Sequence, residues 1–271
     1  MTASPARSVA GGAAVAAAGP PDLPVVIGHR GAAAVAPENT LASMRRAHAD
    51  GARWVEFDVH LSGDGRCIVL HDDTIDRTTD GRGAAAALSF EALRRYDAGA
   101  WFAPQFAGER IPDLEELTAL LGALGLGANV EIKPSPGAEK ATAEAVMAVL
   151  RRCWPAHLPP PLVSSFAPLS LAAARDAAPE IARGYLFGQL PADWRRRAES
   201  LGCATIHCGE RRLTPAQVAA VREAGYPLLV YTVNDPARAR ELIHWGATGI
   251  ISDCPGAIIA ALARSVPTLA E

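Results

Sequence analysis

The run Trp54-Val55-Glu56-Phe57-Asp58-Val59-His60-Leu61 is the most informative stretch of the sequence, with Glu56, Asp58 and His60 at alternate positions. Read as an extended strand, it sends Val55, Phe57, Val59 and Leu61 to one face and Trp54, Glu56, Asp58 and His60 to the other. Two carboxylates then share a face of a segment whose opposite face is apolar. Burying like charges side by side is costly unless a cation or a proton compensates them, and their two-residue spacing suits a divalent metal with oxygen ligands. A second run, Val130-Glu131-Ile132-Lys133-Pro134, repeats the pattern and places Glu131 beside Lys133. Taken alone, either run also admits the plainer reading of an ordinary ion pair in a structural barrel.

Two histidines sit close to these acids in the chain's logic. His29-Arg30-Gly31 follows a short apolar run; Gly31 lets the backbone approach a ligand, and the Arg30 guanidinium suits two-point phosphate binding. Pro37-Glu38-Asn39-Thr40 comes next, with Asn39 read as the cap of the following helix. His71 closes a second apolar run in Leu70-His71-Asp72-Asp73. His60 shares the acid-bearing face but stands at a hairpin entrance and reads as structural.

These groups need a scaffold that brings strand ends together. Short apolar runs at 25–28, 54–59, 129–133, 162–166, 183–187, 204–208, 227–233 and 249–252 alternate with helical patterns such as 39–50, 114–124, 138–152, 169–177 and 215–224. Eight such strand–helix units in about 250 residues match a closed (β/α)8 TIM barrel, whose reactive groups lie at the carboxyl ends of its strands. An open doubly wound sheet is the competing architecture, but no G-x-G-x-x-G follows the first strand. Ser62-Gly63-Asp64-Gly65 predicts a tight turn, so that 66–71 returns as a hairpin extending the second strand. Residues 72–112, with Trp101, Phe102 and Phe106, break the alternation and predict a lid or binding loop. Asp113 and Glu116 then form a capping box behind Pro112. The predicted organisation is a disordered tail over 1–22 and one barrel domain over 23–271, carrying a lid-like insertion over about 60–112.

At 271 residues the chain has room for such a barrel. The formal charge of −3 offers no overall attraction to nucleic acid or anionic membrane, so an anionic ligand must be held locally. Of 26 basic residues only Lys133 and Lys140 are lysines. Lys133 occupies an inward-facing position among acids, whereas Lys140 reads as solvated. Cys67, Cys153, Cys203, Cys208 and Cys254 are an odd, scattered set without C-x-x-C spacing, which fits a reducing compartment and a cytoplasmic location. Residues 1–22 are too Gly-interrupted for a convincing signal peptide, and no run reaches the ~20 apolar residues of a membrane span.

H-R-G at 29–31, P-E-N-T at 37–40, E-F-D-V at 56–59, H-D at 71–72, E-I-K at 131–133 and Y-T-V-N at 231–234 resemble, in order and spacing, the glycerophosphodiester phosphodiesterases. The likeness runs from about Val25 to Pro255. D-D-T-I-D-R-T-T-D-G-R-G at 72–83 is similar to the start of that family's insertion, and I-P-D-L-E-E at 111–116 to its end. The resemblance implies that His29 and His71 form a general acid–base pair and that Glu56, Asp58 and Glu131 ligate a divalent metal, Mg²⁺ or Ca²⁺. It also makes Arg30 and Lys133 phosphate contacts and gives Glu38 a supporting role. Tyr231 stands where a tryptophan is common, which bears on the shape of the alcohol pocket. The implied reaction is metal-dependent hydrolysis of a small glycerophosphodiester, a deacylated phospholipid, to sn-glycerol 3-phosphate and a free alcohol. Water or the glycerol 2-hydroxyl would serve as nucleophile.

Three other readings compete. A barrel phospholipase or sphingomyelinase D-like enzyme acting on lysolipid would need an apolar docking patch, for which residues 96–106 are the candidate. A catalytically dead binding barrel should have lost a histidine or an acid, and none is missing. A zinc amidohydrolase would want H-x-H on the first strand, which His29-Arg30-Gly31 does not supply.

Overall fold

The computed structural model describes residues 18–264. Eight parallel strands close into a barrel: β1 (Val26–His29), β2 (Trp54–Leu61), β4 (Gly127–Ile132), β5 (Leu162–Ser165), β6 (Ala182–Phe187), β7 (Thr205–Gly209), β8 (Leu228–Tyr231) and β9 (Gly249–Ser252). Closure comes from β1 pairing with both β9 and β2. The strand β3 (Cys67–Val69) returns antiparallel along β2, with Val59 opposite Val69. The fold is therefore the predicted (β/α)8 barrel with a hairpin extension.

The helices α1 (Leu41–Ala49), α3 (Leu114–Leu124), α4 (Glu139–Cys153), α5 (Pro168–Ala177), α6 (Trp194–Leu201), α7 (Pro215–Glu223), α8 (Pro236–Trp245) and α9 (Pro255–Ala263) surround the barrel; α2 (Phe90–Leu93) is one turn within the insertion. The predicted Asp113–Glu116 capping box opens α3. The outward residues Val55, Phe57 and Val59 join Met44 and Ala47 of α1 and Leu114, Leu117 and Leu121 of α3 in one buried cluster. The alternate residues of the same strand face inward, as the two-residue period requires.

Within the barrel, Ile27, Trp54, Leu162, Ala182, Leu229 and Ile251 form an apolar floor. β4 begins at Gly127, two residues before its predicted start, and the Trp54 ring leaves room only for glycine there: a Cβ at Gly127 would lie 2.3 Å from Trp54 Cε2. Of the predicted tail, residues 1–17 lie outside the described residues. Residues 18–22 have no regular secondary structure, and Ala18 packs with Leu23 against the floor.

One local expectation is corrected. Helix α1 is capped by Thr40, whose side chain accepts from the Ser43 amide, and Asn39 instead takes a left-handed conformation with φ 59°. Asparagine tolerates that region better than most residues. The insertion, for its part, carries a small core of its own, in which Ile75, Ala85, Phe90, Leu93 and Ala98 pack against Ile68 and Leu70. Its Trp101, Phe102 and Phe106 rings meet edge to face in a series. Among the described residues no helix is long and apolar enough to cross a membrane.

Candidate active site

Alternation on β2 and β4 lifts Glu56, Asp58 and Glu131 above the floor, and Asp58 is the direct neighbour of Glu131 in the strand pairing. All three are buried, and one oxygen from each lies within 4.8 Å of the other two. Asp58 is the best compensated. Its Oδ2 accepts from Asn39 Nδ2 at 2.9 Å and lies 3.3 Å from Arg30 Nε, while its Oδ1 is 3.8 Å from Lys133 Nζ. Burial opposes ionisation of this carboxyl, but the Arg30 and Lys133 charges outweigh it and hold Asp58 below the ordinary carboxylate range.

The other two acids are pushed the opposite way. Burial, reinforced by the Asp58 and Glu131 charges, raises Glu56 well above its usual value. Burial and the neighbouring Asp58 charge push Glu131 up to about 8. Glu56 Oε1 and Glu131 Oε1 are buried without a hydrogen-bond partner, Lys133 Nζ being 3.9 Å from the latter. Orphaned buried oxygens are rare, because each costs about 1–3 kcal/mol or more when charged. Three converging carboxylates, two of them with a free oxygen, fit a hard divalent cation.

The turn after β1 aims Arg30 and His29 at this cradle. Arg30 has φ 48°, a left-handed conformation costing of the order of 1–3 kcal/mol in a non-glycine residue, and Gly31 follows at φ 89°. A Cβ on Gly31 would lie 2.4 Å from Ser43 Oγ. That hydroxyl accepts from the Ala32 amide and donates to the Arg30 carbonyl, both at 2.8 Å, so α1 pins the turn. The Arg30 amide then donates to Glu56 Oε2 at 3.1 Å, and its Nη1 to Glu38 Oε1 at 2.8 Å.

His29 Nδ1 lies 2.6 Å from Asp253 Oδ1, and Asp253 Oδ2 accepts from Asn234 Nδ2 at 2.6 Å. Burial works against the Asp253 charge, but the His29 contact holds its pKa below the usual value. With Nδ1–H committed to Asp253, the basic Nε2 faces the cradle, 3.8 Å from Glu56 Oε2. His71 repeats the arrangement, its Nδ1 lying 2.6 Å from Asp72 Oδ1. Burial, with the Arg30 and Lys133 charges adding to it, holds His71 below the ordinary imidazole range despite the opposing pull of Asp58. His60 Nε2 approaches the His71 carbonyl at 3.0 Å and so steadies the backbone there, a structural role.

A cavity of about 620 Å³ opens beside these groups, lined by His71, Asp73, Glu131, Lys133, Pro134 and Phe166 among others. The Tyr231 ring stands edge-on to Phe166 with centroids 6.1 Å apart, and its hydroxyl donates to the Phe187 carbonyl. Tyr231 therefore backs the Phe166 wall. Trp101, Phe102 and Phe106 do not line this cavity; the insertion reaches it through Asp72 and Asp73. Lys140 is on α4, where it pairs with Glu144 and is largely solvated.

Sequence reasoning thus found the residues that the barrel brings together, with Tyr231 one layer back. It missed Asn39, mistaken for a helix cap, and the partners Asp253 and Asn234. Asp253 carried a usable signal: an acid just past a barrel strand's carboxyl end is where function concentrates.

A TIM barrel with a buried acidic cradle, two histidines each held by an aspartate, and the cations Arg30 and Lys133 at its carboxyl end has the architecture of a barrel hydrolase of phosphate esters. Residues 29–257 match the Glycerophosphoryl diester phosphodiesterase family, and the chain is a member of that family and a glycerophosphodiester phosphodiesterase. It is 34% identical over 240 residues to a glycerophosphodiester phosphodiesterase of Caldanaerobacter subterraneus, spanning 87% of this chain and 96% of the relative. To one from Bacillus subtilis it is 30% identical over 252 residues, spanning 87% and 85%. An Oleispira antarctica phosphodiesterase, solved in complex with the product sn-glycerol-3-phosphate, superposes with a TM-score of 0.87 at 41% identity, covering 89% of this chain and 97% of the other.

Proposed function

We propose that the chain hydrolyses a small, water-soluble glycerophosphodiester to sn-glycerol 3-phosphate and an alcohol, with Glu56, Asp58 and Glu131 holding a divalent metal and His29 and His71 moving the protons. The observation that carries this reading is the buried triad with two unpartnered oxygens, facing one nitrogen of His29 on one side and the open cavity on the other. Mg²⁺ or Ca²⁺ would supply Lewis-acid charge that polarises the phosphoryl group and acidifies a hydroxyl.

His29 Nε2 takes the nucleophile's proton, and Asp253 stabilises the imidazolium that results. Arg30 and Lys133 bind the phosphoryl oxygens and spread the charge that grows as the nucleophile attacks. His71, at the cavity wall, protonates the departing alkoxide. Its depressed pKa disfavours the acid form in the empty site, and an anionic phosphodiester beside it opposes that depression. Phe166, backed by Tyr231, forms one wall of the alcohol pocket. Residues 23–271, of which 265–271 lie outside the described residues, act as one catalytic domain on this reading, and the five unpaired thiols support a cytoplasmic location.

The test is release of choline from glycerophosphocholine, with sn-glycerol 3-phosphate as the other product, and from lysophosphatidylcholine, with lysophosphatidic acid as the other product, before and after chelation by EDTA and re-addition of Mg²⁺ or Ca²⁺. We expect turnover of the former, lost with chelation and restored by metal. Full activity after exhaustive chelation overturns the metal assignment. Turnover of the lysolipid alone overturns the substrate assignment.

A further inference from the structure

Arg77 lies in the insertion, outside every group assigned above, yet its guanidinium joins both ends of the site. It grips Glu38 at two points, Nη1 to Oε2 at 2.7 Å and Nη2 to Oε1 at 2.8 Å. It grips Asp72 at two more, Nε to Oδ2 at 2.7 Å and Nη2 to Oδ1 at 3.1 Å. Neither carboxylate is idle otherwise. Glu38 Oε1 also accepts from Arg30 Nη1 at 2.8 Å, and Asp72 Oδ1 is the atom 2.6 Å from His71 Nδ1.

We infer that Arg77 is the positioning residue that sets the Arg30 guanidinium and the His71 imidazole in register with each other, and that supplying it is a task of the insertion. Arg30 and His71 stand on separate segments, the turn after β1 and the chain beyond β3, and the described structure gives no direct contact between them. The path Arg30–Glu38–Arg77–Asp72–His71 joins them through a planar fork whose donors match two carboxylates at once. Its base is firm. Ile75 is buried in the insertion core, its amide donates to the Gly83 carbonyl at 3.0 Å, and its carbonyl accepts from Thr79 Oγ1 at 2.7 Å. The side chain itself is half-exposed, at 45%, so it can be removed with little disturbance of packing and a small cation can enter in its place.

An ordinary exposed ion pair contributes about 0–1 kcal/mol and has no effect on turnover. A positioning residue gives a different result: its loss lets both partners wander, and catalysis falls steeply with small misplacements. The inference rests on the roles of His71 and Arg30 proposed above, so the experiment carries their variants alongside.

Steady-state kinetics on metal-saturated protein would compare wild type, Arg77→Ala, Arg77→Lys, His71→Ala and Arg30→Ala with glycerophosphocholine. For Arg77→Ala we expect kcat to fall about 10–100-fold, the usual range for residues that orient a reactive side chain, with a rise in KM from the loosened Arg30. The thermal midpoint should move by only ~2–4 °C. Guanidinium chloride at non-denaturing concentration should restore part of kcat to Arg77→Ala and none to His71→Ala. Arg77→Lys, a point charge that cannot span both carboxylates, should fall in between. Wild-type kinetics in Arg77→Ala beside an inactive His71→Ala overturn the inference and leave the reading of the site intact. Activity in both His71→Ala and Arg30→Ala overturns that reading instead. Should Arg77→Ala fail to fold, a folded Arg77→Lys with wild-type kcat overturns the inference equally, as does a loss in Arg77→Ala that guanidinium leaves untouched.

Discussion

On β2 the Trp54 side chain lies on the barrel floor, and two and four residues further on Glu56 and Asp58 form the cradle above it. The same step from apolar to ionisable runs from Ile27 to His29 on β1 and from Ile251 to Asp253 at the end of β9. The floor is a plug of apolar side chains. The mouth contains orphaned carboxylate oxygens, a non-glycine residue at φ 48° and carboxyls with raised pKa values. Between them lie Asn129, Ser164 and His207, buried, each with a polar atom lacking a protein partner. Stability and reactivity are thus divided along each strand: the lower layer tolerates the destabilised upper one because close apolar packing offsets its cost.

The division breaks most sharply at the histidines. His29→Ala should lower kcat by about 10²–10⁴-fold, the range of a general acid–base group, while leaving the thermal midpoint nearly unchanged. A large loss of stability with retained turnover would reverse the roles given to the two layers. Trp54→Ala is the mirror experiment. It should cost about 3–5 kcal/mol in denaturant unfolding, as expected for a buried aromatic, with kcat per folded molecule close to wild type at low temperature. A collapse of kcat in the folded fraction would mean that the floor does more than hold the cradle.

The smallest effect sharpens the electrostatic part. Glu131, pushed up to about 8 from its ordinary 4.5, keeps a proton in the metal-free folded state that the unfolded chain has already released. Folded protein then binds more protons than unfolded, so stability falls as pH rises through that window. His60, His71 and His207 are held below their ordinary 6.5 and act in the opposite sense, but only up to that value. In EDTA the midpoint should therefore decline between about pH 6.5 and 8, and saturating Mg²⁺ should flatten the decline. A midpoint that rises over this interval without metal contradicts the raised Glu131.

The strand alternation of 54–61 and 130–134 was enough to place Glu56, Asp58 and Glu131 on inward faces, because a period of two is a property of the extended chain itself. Likewise Ser62-Gly63-Asp64-Gly65 marked its hairpin through turn chemistry, and Asp113 with Glu116 marked a helix start. The helices α6 and α8 have short apolar faces mixed with charge, and α9 is apolar throughout with no charged residue to set off a face, so none of the three carries a clear helical period. Asn39 was misplaced by one position at a helix start, where Asn and Thr are both good caps and only the fold shows which side chain is needed elsewhere. The aromatic residues 101–106 suggested a lid, and the structure has them packed on one another within the insertion.

The local pattern, then, determined the strand order, the barrel and the residues able to do chemistry, because alternation, turn residues and caps act over a few positions. Only closure of the barrel decided what each group meets. Asp253 reaches His29 from 224 positions away, Asn39 braces Asp58, and Arg77 ties Glu38 to Asp72. Such pairings depend on where strand ends come together in space, and no periodicity in the chain records that.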